Sequence, residues 1–288
     1  MRGRYSAGVA TLRPPDRSSE GLAPVTRTIR FTDGAAYERY MGKWSRLAGD
    51  VFLRWLNPPP GLRWLDVGCG SGAFTEMVAE QCAPAAVCGI DPSAEQLAYA
   101  RSRPRLQNAE FRQADAAALP FSDATFDVAV MPLVIFFLPV PITGVREMTR
   151  VVAPRGIVAA YAWDLLGGGF PYHVLLRTML DMGLDLPAEP SPEASRRDTL
   201  HDLWTMAGLQ TVDTTELVVE RTFADFEDYW TTILGSASAG AHLRALSAKE
   251  VAHLQAHLRT SFPADAAGQI RYSARAKAVR GYVRPLET

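Results

Sequence analysis

Cysteine is scarce in this chain, with three residues, Cys69, Cys82 and Cys88, among 288. An odd number with no CxxC pair excludes a disulfide framework and predicts reduced thiols in a cytoplasmic protein. An excess of one charge is also missing. Thirty Lys and Arg stand against 31 Asp and Glu, a net of −1. No overall field therefore favours nucleic acid or an anionic membrane, and no basic stripe is visible. No apolar run reaches the length of a membrane span. The opening "MRGRYSAGVATLRPPDRSSEG" lacks the long apolar centre of a secretory signal. Its Arg, Ser, Pro and Gly content predicts a disordered tail over residues 1–30, either native or an overlong gene start. Repeats are absent, and no other low-complexity tract is present. The composition itself is ordinary, 48% apolar and 21% charged, which provides for a sizeable core. Residues 31–288 read as a single domain in three parts: a helix over 31–60, a first half over 61–164 and a second over 165–288.

The apolar residues Tyr37, Tyr40, Met41, Trp44, Leu47, Ala48, Val51, Phe52 and Trp55 share one helical face. Asp33 is the expected cap, and "NPPPG" stops the helix. Beyond it, "RWLDVG", "AVCGID", "AEFRQAD", "FDVAVMPLVIFFL" and "IVAAYAWD" read as strands, the fourth run being too long and apolar to be only a strand. They alternate with helices in "GAFTEMVAEQCA", in "SAEQLAYARSR" opened by Ser93, and in "ITGVREMTRVV"; "APRG" is a turn. This rhythm predicts a doubly wound α/β fold, a mostly parallel sheet covered on both faces. The rhythm changes after Asp164. "PYHVLLRTMLDMG", "RRDTLHDLWTMAG", "FEDYWTTILG" and "SAKEVAHLQAHLRTSF" read as helices. "QTVDTTELVVERTF" and "GQIRYSARAKAVRGYVR" alternate as strands.

In a parallel sheet, ligands bind beyond the carboxyl ends of the strands. Gly68, Gly70 and Gly72 fall in the first such loop, where glycine permits unusual backbone angles and removes a Cβ that would block a ligand. Gly68, Gly70 and Ala73 also satisfy the relaxed dinucleotide fingerprint, in which a pyrophosphate rests on a helix N-terminus. Asp66 argues the other way, because a carboxylate ahead of the loop repels a pyrophosphate and welcomes an ammonium group. Asp91 ends the second strand, positioned to accept from both hydroxyls of a ribose, which suits NAD equally well. Asp115 ends the third strand within reach of an adenine amino group, and the Ala116 amide faces a ring nitrogen. An acid at the end of each of three successive strands suits a nucleoside bearing a cation.

At "LDVGCGSG", "GIDPS", "ADAAALPF", "FDVAV" and "REMTRVVAPRGIVAAYAWD" the chain resembles the class I S-adenosylmethionine-dependent methyltransferases, especially the small-molecule group often called type 11. The resemblance covers roughly Tyr37 to Asp164 in order. It implies a Rossmann-like sheet of seven strands with an antiparallel last strand, and helical insertions over the acceptor site. The implied cofactor is S-adenosylmethionine, leaving as S-adenosylhomocysteine. Contacts are implied at Asp66, Gly68, Cys69, Gly70, Asp91, Pro92, Ser93, Asp115, Ala116 and the Met131 backbone. The family's N-terminal helix commonly closes over the cofactor, which implies Tyr40 and Trp44 there; their spacing fits core packing as well. Relatives often carry histidines after the fourth strand, where this chain has "VIFFLP". No catalytic role transfers to Phe136 or Phe137, which are expected as an apolar wall beside the sulfonium.

The reaction so implied is an in-line displacement onto a small-molecule acceptor, in which alignment and exclusion of water do most of the work. A base is needed only where the acceptor must lose a proton early. His173 is the candidate, a surface or capping role being its alternative. His253 and His257 are four apart on a helix, but Leu254 replaces the glutamate of the metalloprotease pattern, and no metal site is expected. Cys69 reads as a small filler with its backbone in use, since no basic neighbour lowers its pKa. Two rival functions stay open from sequence: a nicotinamide-dependent oxidoreductase, and a non-catalytic S-adenosylmethionine-binding regulator.

Overall fold

Short apolar runs, each followed by a helical repeat, fold as strands linked by crossover helices. The computed structural model describes residues 38–186, 188–235 and 239–285. The expected tail over 1–30 and the Asp33 cap lie outside them. A π-helical turn, Glu38–Gly42, leads into α1, Lys43–Leu56. Trp44, Ala48, Phe52 and Leu56 form its buried stripe, one residue per turn on a single face. Asn57, at φ 43°, ends α1 just ahead of the prolines, where the helix cannot continue.

There follow β1 (Arg63–Val67), α2 (Ala73–Gln81), β2 (Ala86–Asp91), α3 (Ala94–Ser102), β3 (Glu110–Gln113), β4 (Phe126–Pro132), α4 (Pro141–Val151) and β5 (Val152–Trp163). The second half supplies α5 (His173–Asp181), α6 (Arg197–Met206), β6 (Gln210–Phe223), α7 (Phe226–Leu234), α8 (Ala239–Ala245), α9 (Ala248–Ser261) and β7 (Ile270–Tyr282). The short α8 was not expected, being too brief to show a helical repeat. The seven strands are ordered β3-β2-β1-β4-β5-β7-β6. β7 is antiparallel to both β5 and β6, while the other pairings are parallel. This is the Rossmann-like methyltransferase sheet that the resemblance implied.

One local reading changes and another is completed. "APRG" is no free turn but a kink inside β5: Phe126 pairs with Val152 and Val128 with Ile157, while Arg155 sits at φ 69°. Bonds of 2.9 Å from Arg155 N–H to Val283 O, and of 3.0 Å from Val283 N–H to Gly156 O, hold the kink against the end of β7. The fourth apolar run is strand only to Pro132; Leu133 then turns at φ 60°, and Ile135–Phe137 is a 3-10 turn.

Each face of the sheet has its own apolar layer, and successive residues of β5 alternate between them. Tyr161 and Trp163 join Trp44, Phe52, Leu175 and Met179 on one face. Val158 and Ala160 join Met148, Leu200 and Trp204 on the other. Trp204 is fully buried and donates from Nε1 to Val158 O at 2.8 Å, docking α6 on the sheet. α5 thus packs on one face and α6 on the opposite one.

Candidate functional site

The turn between β1 and α2 is built by left-handed backbone. Gly68, Gly70 and Gly72 have φ of 76°, 51° and 79°, a region that side chains with a Cβ rarely adopt. The N–H groups of Gly68 and Cys69 both donate to Ile90 O, at 2.8 and 2.9 Å. This stitches the turn to the end of β2. A Cβ on Gly68 would lie 2.5 Å from Val134 Cγ2, whereas one on Gly70 would meet nothing within 4 Å. The Gly70 side of the turn is therefore open, and the Gly68 side is walled by the segment after β4.

Two of the predicted acids meet at this turn. Asp91 Oδ2 accepts from Gly70 N–H at 2.9 Å and Oδ1 from Ser93 N–H at 2.8 Å. Burial raises its carboxyl pKa, and those two N–H groups offset part of the rise. Asp66, only 1% exposed, accepts from the Thr75 hydroxyl at 2.7 Å through Oδ2. Its Oδ1 is buried with no hydrogen-bond partner among the described residues. Burial lifts this carboxyl to about 7; the Thr75 bond pulls it down, and the neighbouring Asp91 charge pushes it up again. An orphaned carboxylate oxygen is costly in such a place, and a ligand ammonium group would supply the missing donors.

The other expected contacts surround this pair. Ser93 Oγ caps α3 by accepting from Gln96 N–H at 3.3 Å, and Pro92 is exposed. Pro92 O accepts from Gln113 Nε2 at 2.8 Å, which ties the end of β3 to the same edge. Asp115 is exposed and accepts from Ala117 N–H at 2.8 Å. Ala116 and Met131 are buried on either side of Gly144 of α4. Cys69 is buried, and its thiol pKa lies well above the ordinary value, first through burial and then through the charges of Asp66 and Asp91. That makes it a protonated filler, as expected.

Three further candidates meet at the start of α5. Tyr40 is in the core, its ring stacked on Tyr172 at 4.1 Å, and its carbonyl accepts from the Tyr172 hydroxyl at 2.7 Å. Trp44 donates from Nε1 to the same hydroxyl at 3.2 Å. Both engage Tyr172, just ahead of α5, Tyr40 by its ring and carbonyl and Trp44 by its hydrogen bond. His173 begins α5 half-buried, its ring beside Gly168. Phe136 is buried while Phe137 is 38% exposed, so Val134, not the phenylalanine pair, walls the Gly68 side. His253 and His257 lie on the exposed side of α9.

Sequence reading missed Thr75 and Val134. Thr75 carries no motif signal, nine residues beyond the acid it holds. Val134 reaches Gly68 only because β4 lies beside β1, Asp66 opposite Val130.

Residues 65–160 match the family model described as methyltransferase domain. The trans-aconitate 2-methyltransferase of Methylobacterium nodulans is 34% identical over 148 residues, 50% of this chain and 54% of that protein. The first curated relatives are matched over 39% of their own length, so the chain spans between about two fifths and somewhat over half of such relatives. Among solved structures, the YcgJ protein of Bacillus subtilis has a TM-score of 0.56 at 17% identity, covering 82% of this chain and 98% of that one. Phosphoethanolamine N-methyltransferase 2 of Haemonchus contortus, solved in complex with S-adenosyl-L-methionine, has a TM-score of 0.53 at 16% identity and covers 87% and 56%. The matched stretch is thus similar to a methyltransferase domain, and the chain shares its fold with these solved structures. The glycine turn with Asp66 and Asp91 has the chemistry to hold a ligand that carries an ammonium group and a diol.

Proposed function

We propose that this chain moves the methyl group of S-adenosylmethionine to a small-molecule acceptor by in-line displacement. The observation that carries the reading is the pair of acids at the glycine turn. One, Asp66, is buried with an oxygen that lacks a donor; the other, Asp91, ends the adjacent strand with its carboxylate at the open side. When bound, the cofactor supplies an activated methyl on a cationic sulfur. Asp66 takes the ammonium of its amino-acid tail, Asp91 the ribose hydroxyls, and Asp115 with the Ala116 amide the adenine edge. The Met131 backbone completes that edge from β4. The buried Val134 side excludes water from one flank and Gly70 leaves room on the other, so alignment and dehydration come from the fold itself.

No helix among the described residues is long and apolar enough to cross a membrane. With three free, buried cysteines, we assign the activity to a cytoplasmic protein acting on a soluble acceptor. Calorimetry tests the reading. S-adenosylhomocysteine binds in the nanomolar to micromolar range, with no heat from NAD or NADP. Asp91→Ala weakens that binding by about 2–3 kcal/mol, the scale of lost hydrogen bonds to a charged acceptor. Unchanged affinity in folded Asp91→Ala protein overturns the ribose assignment. Tight cofactor binding without methyl gain in a metabolite extract favours the regulatory alternative.

A further inference from the structure

The segment joining α5 to α6 changes sides of the sheet. Leu184 and Leu186 pack against the layer that holds α1 and α5, while Ala194 belongs to the layer that holds α4 and α6. Residues between them must pass over one edge of the sheet. Ser191 identifies the edge: its N–H donates to Phe136 O at 3.0 Å, and its hydroxyl donates to Leu138 O at 2.7 Å. Phe136 and Leu138 follow the carboxyl end of β4, in the same stretch whose Val134 touches Gly68. The segment is therefore a strap across the carboxyl edge, above the place where β4 meets the glycine turn. Pro190 and Pro192 stiffen it, since each fixes its own φ.

Glu189 lies midway along the strap. It is half-buried, and no described residue pairs with it: there is no ion pair, and the one hydrogen bond that favours its ionised form comes from its own backbone N–H. Burial raises its pKa above the ordinary carboxyl value. A carboxylate withdrawn from water normally has a cation beside it. Asp164, at the end of β5, has one: Lys277 Nζ lies 3.4 Å away and Arg275 Nε 3.8 Å. Glu189 does not.

We propose that Glu189 is the acceptor-side carboxylate of this site, holding a protonated amine against the carboxyl edge of the sheet. The inference rests on the methyltransferase reading above and narrows its acceptor to an amine. The acceptor nitrogen passes one proton to a Glu189 carboxylate oxygen. Its freed lone pair forms the nitrogen–carbon bond, the carbon–sulfur bond breaks, and that electron pair stays on sulfur. The product leaves as a methylammonium carrying the positive charge that sulfur has lost. A carboxyl group with a raised pKa suits this step, because it both holds the ammonium and accepts its proton more readily than an ordinary carboxylate.

The test uses the full chain saturated with S-adenosylhomocysteine. By calorimetry it is offered ethylamine, butylamine and benzylamine against propionate, valerate and phenylacetate. At least one amine binds in preference to the carboxylate of its size, and Glu189→Gln lowers that affinity about ten- to a hundredfold, the loss of a charge-assisted hydrogen bond. Glu189→Asp, which keeps the charge at shorter reach, recovers part of it. Circular dichroism of both variants confirms that they fold. Binding of no amine, preference for the carboxylates, or an amine preference that survives in Glu189→Gln overturns the proposal. So does a Glu189→Gln protein that loses affinity for S-adenosylmethionine but not for S-adenosylhomocysteine, because the carboxylate then faces the sulfonium. A wild-type chain that binds neither form of the cofactor overturns the function reading beneath.

Discussion

Replacing Asp66 by Asn removes a charge that the fold must otherwise bury. In the unfolded chain Asp66 ionises near its ordinary 3.8, and in the folded chain only near about 7. Between those values the folded state holds one proton more than the unfolded state. Stability therefore falls as pH rises through this window, and the full penalty stands above it. At roughly 1.4 kcal/mol per pH unit, the interval from 3.8 to about 7 amounts to about 4 kcal/mol. Asn keeps an oxygen for the Thr75 hydroxyl and does not titrate. Relative to Asp66→Asn, the wild-type protein should lose about 2–3 kcal/mol between pH 5 and pH 7, then run parallel above pH 8. Urea midpoints of both proteins at matched pH measure this, and every other titrating group cancels in the difference. The same carboxyl should ionise when a ligand ammonium arrives, so S-adenosylhomocysteine binding at pH 6 releases a proton in the wild type alone. Calorimetry in buffers of different ionisation enthalpy reads that proton. A stability difference that stays constant from pH 5 to pH 8 would refute the argument, because Asp66 would then be ionised in the folded protein at pH 5.

Two further outcomes follow from packing. Gly68→Ala places a Cβ 2.5 Å from Val134 Cγ2 on a residue at φ 76°, and should destabilise by about 2–4 kcal/mol. Adding Val134→Ala relieves the clash but not the backbone strain, so denaturation of the double variant should recover only part; full recovery would show that the φ requirement is unimportant. Trp204→Phe removes the bond to Val158 O and leaves a void under α6; a loss of about 2–3 kcal/mol is expected, with earlier proteolysis between α6 and β6. A loss below 0.5 kcal/mol would mean that α6 contributes little to the fold.

Much of the architecture was legible from local pattern. Strand runs such as Arg63–Val67 and Ala86–Asp91 are apolar because both faces of a central strand are covered. The alternation of Gln210–Phe223 reports an edge strand covered mainly on one face. What misled was punctuation. Ala153–Gly156 has turn composition, yet it lies within β5 because backbone bonds to Val283 hold it there. Phe126–Leu138 is too long and apolar to be only a strand, but where the strand stops was not legible, because periodicity registers hydrophobicity and not the positive φ of Leu133. At the site, Asp66, Gly70 and Asp91 are legible because each is placed by its position at a strand end. Tyr40 is not, since the same helical face serves a cofactor lid or an aromatic stack. Tyr172, far away in sequence, supplies its stacking partner.

Residue order alone determined the alternation of elements, the glycine turn and the acids at the ends of the first two strands, because these depend on spacing of two to four residues along one chain. Only the tertiary structure decided that Asp66 keeps one oxygen without a donor, that Val134 closes over Gly68, and that the strap bearing Glu189 crosses the edge of the sheet. Those features depend on desolvation and contact between segments remote in sequence, and burial is a property of the whole packed chain.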